Sequence, residues 1–435
     1  MSIKEDRAKR TKWFLNDRFG MFIHWGLYAI PARGEWVRSV EKISKEDYNQ
    51  FFEEFNPERY NPKIWAKAAR EAGMKYAVMT AKHHDGFCLF DSKLTEYKST
   101  NTKAGRDLIK EYIEAFRAEG LKVGLYYSLL DWYHDDYPAY SDHIHPMREN
   151  EAFKNKQYDF ERYIDYMHGQ VRELCTNYGK IDIIWFDFSY GDMTGEKWHA
   201  TELVKMVRSL QPDIVIDNRL EASGEGSGSI KSESPSIYSG DFASPEQIIP
   251  PEGVTDEKGV SVPWEACITM NNNWGYASTD KLFKSPKQLI RKLVECVSKN
   301  GNLLLNVGPD AMGEIPDESL AILSEIGKWM KRNSRSIYGC GKAEFPKPEW
   351  GYYTQNGKFL YAHVYEGNIG PLPLACLKGK ANKARLLSDG TEMKFVDAWN
   401  TKEYPDDLFI NFGAVEHFTY PLPDGYDTVV ELELE

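Results

Sequence analysis

Residues 76–86 read Tyr-Ala-Val-Met-Thr-Ala-Lys-His-His-Asp-Gly, and the fold is decided by how this stretch is read. A run of buried-strand character carries the chain to Lys82, where His83, His84, Asp85 and Gly86 arrive together. The pattern recurs over the first 310 residues: apolar runs at 19–26, 122–129, 181–188, 214–219 and 302–307 each end in polar or aromatic residues. Weaker strand candidates lie at 239–243 and 264–270. Near-continuous apolar strands of this kind belong to sheets covered on both faces.

The segments between them are mostly helical. Ser44 with Asp47 three residues on has a capping-box spacing. Asn61-Pro62 opens a second helix, with Ile64, Trp65, Ala68, Ala69 and Ala72 on one face and Gly73 to end it. Phe160, Ile164, Met167, Val171 and Leu174 recur at helical spacing before the fourth strand, and a last helix starts at Pro316. Eight strands alternating with helices predict an α/β fold, a (β/α)8 TIM-like barrel over residues 1–341. The stretch 220–262, rich in Gly, Ser, Pro and Glu, reads as long loops near the barrel mouth. Beyond residue 341 the pattern changes. Asn356-Gly357, Asp389-Gly390 and Asp424-Gly425 punctuate short alternating runs, and Val430, Leu432 and Leu434 share one face. These are hairpin signals, and they predict a small antiparallel β-sandwich over 342–435.

Composition narrows the function. A net charge of −12 argues against nucleic acid and anionic membranes as partners. No stretch approaches the roughly 18 apolar residues of a membrane helix. Residues 1–7 are charged and lack the apolar centre of a signal peptide, which leaves localisation open between the cytoplasm and export. The six cysteines are scattered without metal-ligand spacing. Aromatic residues make up 14% of the chain, which suits both a large core and a site that packs sugar C–H faces on flat rings.

In a barrel the site is built at the C-terminal ends of the strands. Those ends supply His24, His83, His84, Tyr126, Tyr127, Trp185, Asp187, Asp217, Arg219, Asp241, Glu246 and Asn306, and Glu265 begins the seventh strand. A zinc site is disfavoured, since barrel zinc enzymes place two histidines one residue apart and adjacent His83 and His84 should point to opposite faces. No Gly-x-Ser-x-Gly elbow occurs, and 224–228 has neither the Lys-Ser/Thr nor the helix of a phosphate loop. Paired carboxylates remain. Asp187, closing Ile-Asp-Ile-Ile-Trp-Phe-Asp, suits the attacking carboxylate of a glycoside hydrolase if Arg219 or the histidines hold its pKa down; the competing role is loop capping.

Several segments then resemble the family-29 α-L-fucosidases. They are Phe-Gly-Met-Phe-Ile-His-Trp-Gly (19–26), Gly-Glu-Trp (34–36), Lys-His-His-Asp-Gly-Phe (82–87), Gly-Leu-Tyr-Tyr-Ser (124–128) and Trp-Phe-Asp (185–187). Gly-Asp-Phe-Ala-Ser-Pro-Glu (240–246) and Ser-Lys-Asn-Gly-Asn-Leu-Leu-Leu-Asn-Val-Gly-Pro (298–309) complete the ordered match. The resemblance implies a catalytic barrel with a C-terminal β-sandwich, an exo-acting retaining mechanism, a fucosylated oligosaccharide or glycoconjugate substrate, and no metal or other cofactor. It makes Asp187 the nucleophile and Glu246 the general acid/base, with Glu233, and behind it Glu221 and Glu225, as rivals for the second role. By the same resemblance His24, His83, His84, Tyr127, Trp185 and Arg219 line the fucose subsite, and Glu35 and Trp36 touch the sugar hydroxyls. Trp274 is either an aromatic wall or core. A retaining pair should stand about 5–5.5 Å apart. Two alternatives stay open: an exo-glycosidase for galactose-configured sugars, and a non-catalytic fucose-binding protein.

Overall fold

The computed structural model describes residues 3–140, 142–224, 226–413 and 418–435. Seven parallel strands form a curled sheet: β1 (Phe19–Ile23), β2 (Tyr76–Lys82), β3 (Lys122–Ser128), β4 (Ile183–Asp187), β5 (Val215–Ile216), β6 (Glu265–Thr269) and β7 (Asn302–Val307). Their order is β5-β4-β3-β2-β1-β7-β6. The capping expectations hold: Ser44 accepts from the Asp47 amide, and Asn61 caps a helix with Pro62 in its first turn.

Side chains alternate between the two faces of each strand. Phe22, Tyr76, Val78, Tyr126, Ile183, Trp185, Val215, Cys267 and Leu304 form a buried inner cluster. Their strand neighbours Met21, Ala77, Met79, Leu125, Tyr127, Ile184 and Phe186 pack outward in the larger cluster that also holds the helices. At the N-terminal end of the strands the inner cluster is closed by Phe14, 4.8 Å from Phe242 and 5.7 Å from Tyr76 between ring centroids. Phe14 belongs to a helix, Ile3–Asp17, that the hydrophobic pattern did not announce. The helix is mostly charged, and it is seated by polar bonds: the buried Arg7 guanidinium donates to the Ile230 carbonyl and Ser239 Oγ.

The expected sixth strand at 239–243 is not a strand. The segment makes only single parallel bridges, Asp217–Phe242 to one edge of the sheet and Ala243–Trp264 and Glu246–Cys267 to the other. Side-chain chemistry replaces the ladder there. The Asp241 amide donates to the Ile216 carbonyl at 2.6 Å, but the Ile216 amide is taken by the Asp241 carboxylate at 2.9 Å. Pro245 and Pro263 have no N–H to offer. Among the described residues no α-helix occurs between β5 and β6, as the loop reading expected. The location differs from expectation in part, because Ile230 and Asp256 meet the N-terminal helix, away from the mouth.

The C-terminal segment carries a six-stranded antiparallel sheet, Gly341–Lys342, Gly351–Asn356, Phe359–Val364, Ala381–Leu386, Glu392–Met393 and Thr428–Leu434, and a pair Leu372–Leu374 with Leu408–Ile410. The hairpin expected at Asn356-Gly357 is present one residue on: Asn356 pairs with Phe359, and Gly357-Lys358 form the two-residue turn. Asp424-Gly425 turns no hairpin; the Asp424 carboxylate accepts from the Tyr426 amide and leads into the last strand. Val430 and Leu432 face a separate apolar cluster, with Leu434 packed against it, and Val429 faces the main core.

Candidate active site

Side chains from several strand ends meet around one guanidinium. Arg219, beyond the end of β5 and 3% exposed, is the hub. One terminal nitrogen donates to Asp187 Oδ1 at 2.9 Å and the other to Glu246 Oε2 at 3.1 Å. Two further donors go to Ser244 Oγ (2.8 Å) and the Ser244 carbonyl (3.0 Å), and its guanidinium lies 4.7 Å above the Trp185 ring. Two carboxylates 59 positions apart in sequence are thus held on the two ends of one planar fork. Burial alone would lower the Arg219 pKa, but Asp187 and Glu246 outweigh it and raise it.

Asp187 retains 13% of its side-chain surface and Glu246 37%. Asp187 Oδ2 also accepts from the Tyr126 hydroxyl at 2.7 Å. Burial pushes the Asp187 carboxyl up to about 6; Arg219 and Tyr126 oppose it, and Glu246 adds to it. The donors that were expected to hold its pKa down are present, and desolvation exceeds them.

The chain leaves the sheet in the same way after each acid. Phe188 has φ of 89° and Gln247 φ of 56°, left-handed values uncommon for residues other than glycine. Phe188 is held between the rings of Trp36 (5.5 Å) and His84 (5.1 Å). Gln247 is held by its amide on the Cys267 carbonyl and its side chain on Thr269.

The histidines gather beside Asp187. His83 and His84 have ring centroids 4.0 Å apart, so the expectation that they point to opposite faces is corrected. β2 ends at Lys82, and beyond it strand alternation no longer applies. His83 stacks on Tyr126 at 5.4 Å, and His24 lies 5.6 Å from His83 and 5.1 Å from Trp274. His84 Nε2 lies 3.9 Å from Asp187 Oδ2. Burial lowers all three pKa values, that of His24 to about 3, so the rings are neutral near pH 7. Glu35, buried, accepts from the Gly275 amide at 2.8 Å, and burial raises its pKa. Trp36 meets His84 at 5.1 Å. Phe22, Trp185 and Trp274 form the apolar wall beside His24, which gives Trp274 a place at the site edge.

Tyr127 is not in this group. Its hydroxyl donates to Gln170 of the helix Phe160–Asn177 on the outer face, while Tyr126 faces inward onto Asp187. Strand alternation was the signal that separates them, because Tyr126 shares its parity with inward Gly124 and Ser128. Ser128, Ser244 and Asn306 support the site residues; all three lie within the resembling strings, but nothing in their residue type announced that role.

Other strand-end acids lie elsewhere. Glu265, at the opposite end of the sheet, accepts from Tyr76, and Asp241 is clamped by Arg10 and Arg208. Asp217 accepts from the Phe186 amide beneath the site. Of the rivals to Glu246, Glu233 is exposed on Lys258, and Glu221 is engaged by Ser229 and Ser236. Glu225 lies outside the described residues.

A family model described as α-L-fucosidase matches residues 2–335. The chain belongs to the α-L-fucosidase family. It is therefore grouped with glycoside hydrolases, as the motifs at 82–87 and 298–309 implied. It is 63% identical to α-L-fucosidase isoenzyme 1 from Paenibacillus thiaminolyticus, with a TM-score of 0.95 over 99% of this chain and 100% of that one. A family-29 α-L-fucosidase from Bacteroides thetaiotaomicron, trapped as a covalent intermediate with 2-fluoro-fucosyl fluoride, is 31% identical. It superposes with a TM-score of 0.83 over 98% of this chain and 96% of that one. An α-L-fucosidase of Dictyostelium discoideum is 27% identical over 388 residues, 81% of this chain and 77% of the relative.

Proposed function

We propose that this protein is an exo-acting, retaining α-L-fucosidase that releases terminal L-fucose from fucosylated oligosaccharides or glycoconjugates. The observation that carries the reading is the pair of carboxylates, Asp187 and Glu246, on one Arg219 guanidinium within a cluster of neutral histidines and aromatic rings. Asp187, the more buried acid, attacks the anomeric carbon while Glu246 gives its proton to the departing oxygen, which forms a covalent fucosyl ester and frees the leaving group. Glu246 then takes a proton from a water that attacks the same carbon, Asp187 leaves, and the sugar departs with its α configuration. The covalent intermediate trapped in the Bacteroides relative supports this two-step course.

The surroundings fit L-fucose. His24, His83, His84 and Glu35 are buried polar groups suited to three ring hydroxyls, and Phe22, Tyr126, Trp185 and Trp274 offer an apolar wall for the C5 methyl group. A sugar lacking a hydroxyl leaves such groups unpaired and is rejected. We read the curled sheet with its bridging 239–246 segment as a (β/α)8-type barrel with one strand reduced. Residues 1–341 are then the catalytic domain, and residues 342–435, with their own apolar cluster, are an appended β-sandwich.

Hydrolysis of p-nitrophenyl α-L-fucoside beside the β-D-galactoside tests the reading. Wild type should cleave the fucoside and Asp187→Asn should lose about 10³-fold or more. Glu246→Ala should lose about 10²–10⁴-fold on natural disaccharides, with a smaller loss on the aryl fucoside and partial rescue by azide. Galactoside turnover exceeding fucoside turnover would overturn the substrate assignment.

A further inference from the structure

Two histidines of the site have their protons placed by partners behind them. Ser128 Oγ lies 2.7 Å from the Leu130 carbonyl and 2.7 Å from His84 Nδ1. A carbonyl cannot donate, so the serine proton goes to Leu130 and the oxygen accepts from Nδ1–H of His84. Asn306 acts the same way on His24. Its Nδ2 donates to the Trp274 carbonyl at 2.7 Å, which orients the amide so that Oδ1 faces His24 Nδ1 at 2.7 Å. Neither Nε2 has a hydrogen-bond partner among the described residues, and that of His84 faces Asp187 Oδ2 at 3.9 Å.

We infer that Ser128 and Asn306 are positioning residues that lock His84 and His24 in the Nδ1–H tautomer, so that both rings meet the sugar with a bare Nε2 that accepts from its hydroxyls. Burial supports the assignment by keeping both rings neutral, which excludes a second N–H. The arrangement also explains how His84 serves beside the attacking carboxylate. An Nε2–H would be a further donor aimed at Asp187 Oδ2 beside Tyr126 and would blunt that oxygen, whereas a lone pair adds no donor and draws in a hydroxyl that donates to one of the two acceptors. Specificity then depends on the substrate hydroxyls as donors.

The inference rests on the fucosidase reading only for the identity of those hydroxyls, and its first test does not use turnover. Nitrogen-15 NMR of the histidine-labelled full chain at pH 7, assigned with His24→Gln and His84→Gln, reads the tautomers directly. Both rings should show a protonated Nδ1 and an unprotonated Nε2. Nε2–H or imidazolium signals for either ring would overturn the proposal. In Ser128→Ala, His84 should lose its Nδ1–H preference and kcat/KM on the aryl fucoside should fall about tenfold, as expected for one net hydrogen bond, while Ser128→Thr stays near wild type. An unchanged His84 tautomer in Ser128→Ala would remove Ser128 from the role. Ser128→Cys, which weakens the acceptor at similar volume, decides the same point if the alanine variant does not fold. An enzyme inactive on fucosides with the expected spectrum would overturn the functional reading and leave the tautomer assignment standing.

Discussion

Asp187 is pulled in opposite directions by burial and by its donors, and the balance is measurable. With its carboxyl pushed up to about 6, the attacking form is present above that pH and is lost below it. The acid limb of kcat/KM for wild type should therefore fall as pH drops through about 6, well above the ordinary aspartate range. A limb near pH 4 would show that Arg219 and Tyr126 prevail over desolvation. Glu265 makes the complementary case for stability. Burial holds its carboxyl at about 8, against 4.5 for the free group, with Tyr76 as donor. Between those values the folded chain keeps a proton that the unfolded chain releases, so stability falls as pH rises through this window. Glu265→Gln, which keeps the acceptor and cannot ionise, should melt higher than wild type at about pH 8, by a margin worth ~2 kcal/mol or more, and the two should converge toward pH 5. The residue types at strand ends were legible in the sequence; their ionisation was not, because it depends on burial and on partners such as Tyr76, 189 positions from Glu265.

The elements show where local pattern suffices and where it fails. β2, β3, β4 and β7 fall where the apolar runs lie, since a strand covered on both faces must be apolar throughout. At the end of β3 side-chain alternation separates Tyr126 from Tyr127, but the direction of either ring follows only once inward and outward are known. The segment 239–246 looks like a strand and is instead an extended connector tied by the Asp241 carboxylate. Gly240 is essential to it: its φ is 77°, and a Cβ there would stand 2.1 Å from the Asp217 carbonyl oxygen. Gly240→Ala must move the connector that carries Glu246. It should lower stability by about 1–3 kcal/mol and cut kcat on a disaccharide at least about tenfold, measured by denaturant unfolding and initial rates. Wild-type kinetics in a folded variant would show that the connector adapts without moving its glutamate.

At the scale of the molecule, distant parts of the chain seal the curled sheet and brace its helices. The N-terminal helix plugs one end with Phe14, and the C-terminal sheet is tied to the helix Pro286–Ser298 by Arg291, which donates to the Tyr365 and Tyr426 carbonyls at 2.9 Å each. Trp329 adds a bond to the Asp427 carbonyl, and Asp427 pairs with His363 in the same buried seam. Arg291→Ala leaves both carbonyls without that donor and should cost about 1–3 kcal/mol for each one left dry. Thermal melting should fall while kcat/KM on the aryl fucoside stays unchanged, because no atom of this seam reaches Asp187 or Glu246. A parallel loss of activity would mean that the C-terminal sheet shapes the site.

By itself the sequence determined the alternation of buried strands and helices, the change to antiparallel β structure after about residue 341, and the strand-end residues and strings by which the family was recognised. These are matters of side-chain period and of neighbours along the chain. The tertiary structure decided which of those side chains meet: Tyr126 rather than Tyr127 on Asp187, His83 beside His84, Glu265 at the far end, and Asp187 with Glu246 on one guanidinium. Contacts between positions tens to hundreds of residues apart, and the direction of side chains past a strand end, depend on sheet curl and on bonds to side chains elsewhere in the fold, neither of which is written in the local pattern of the chain.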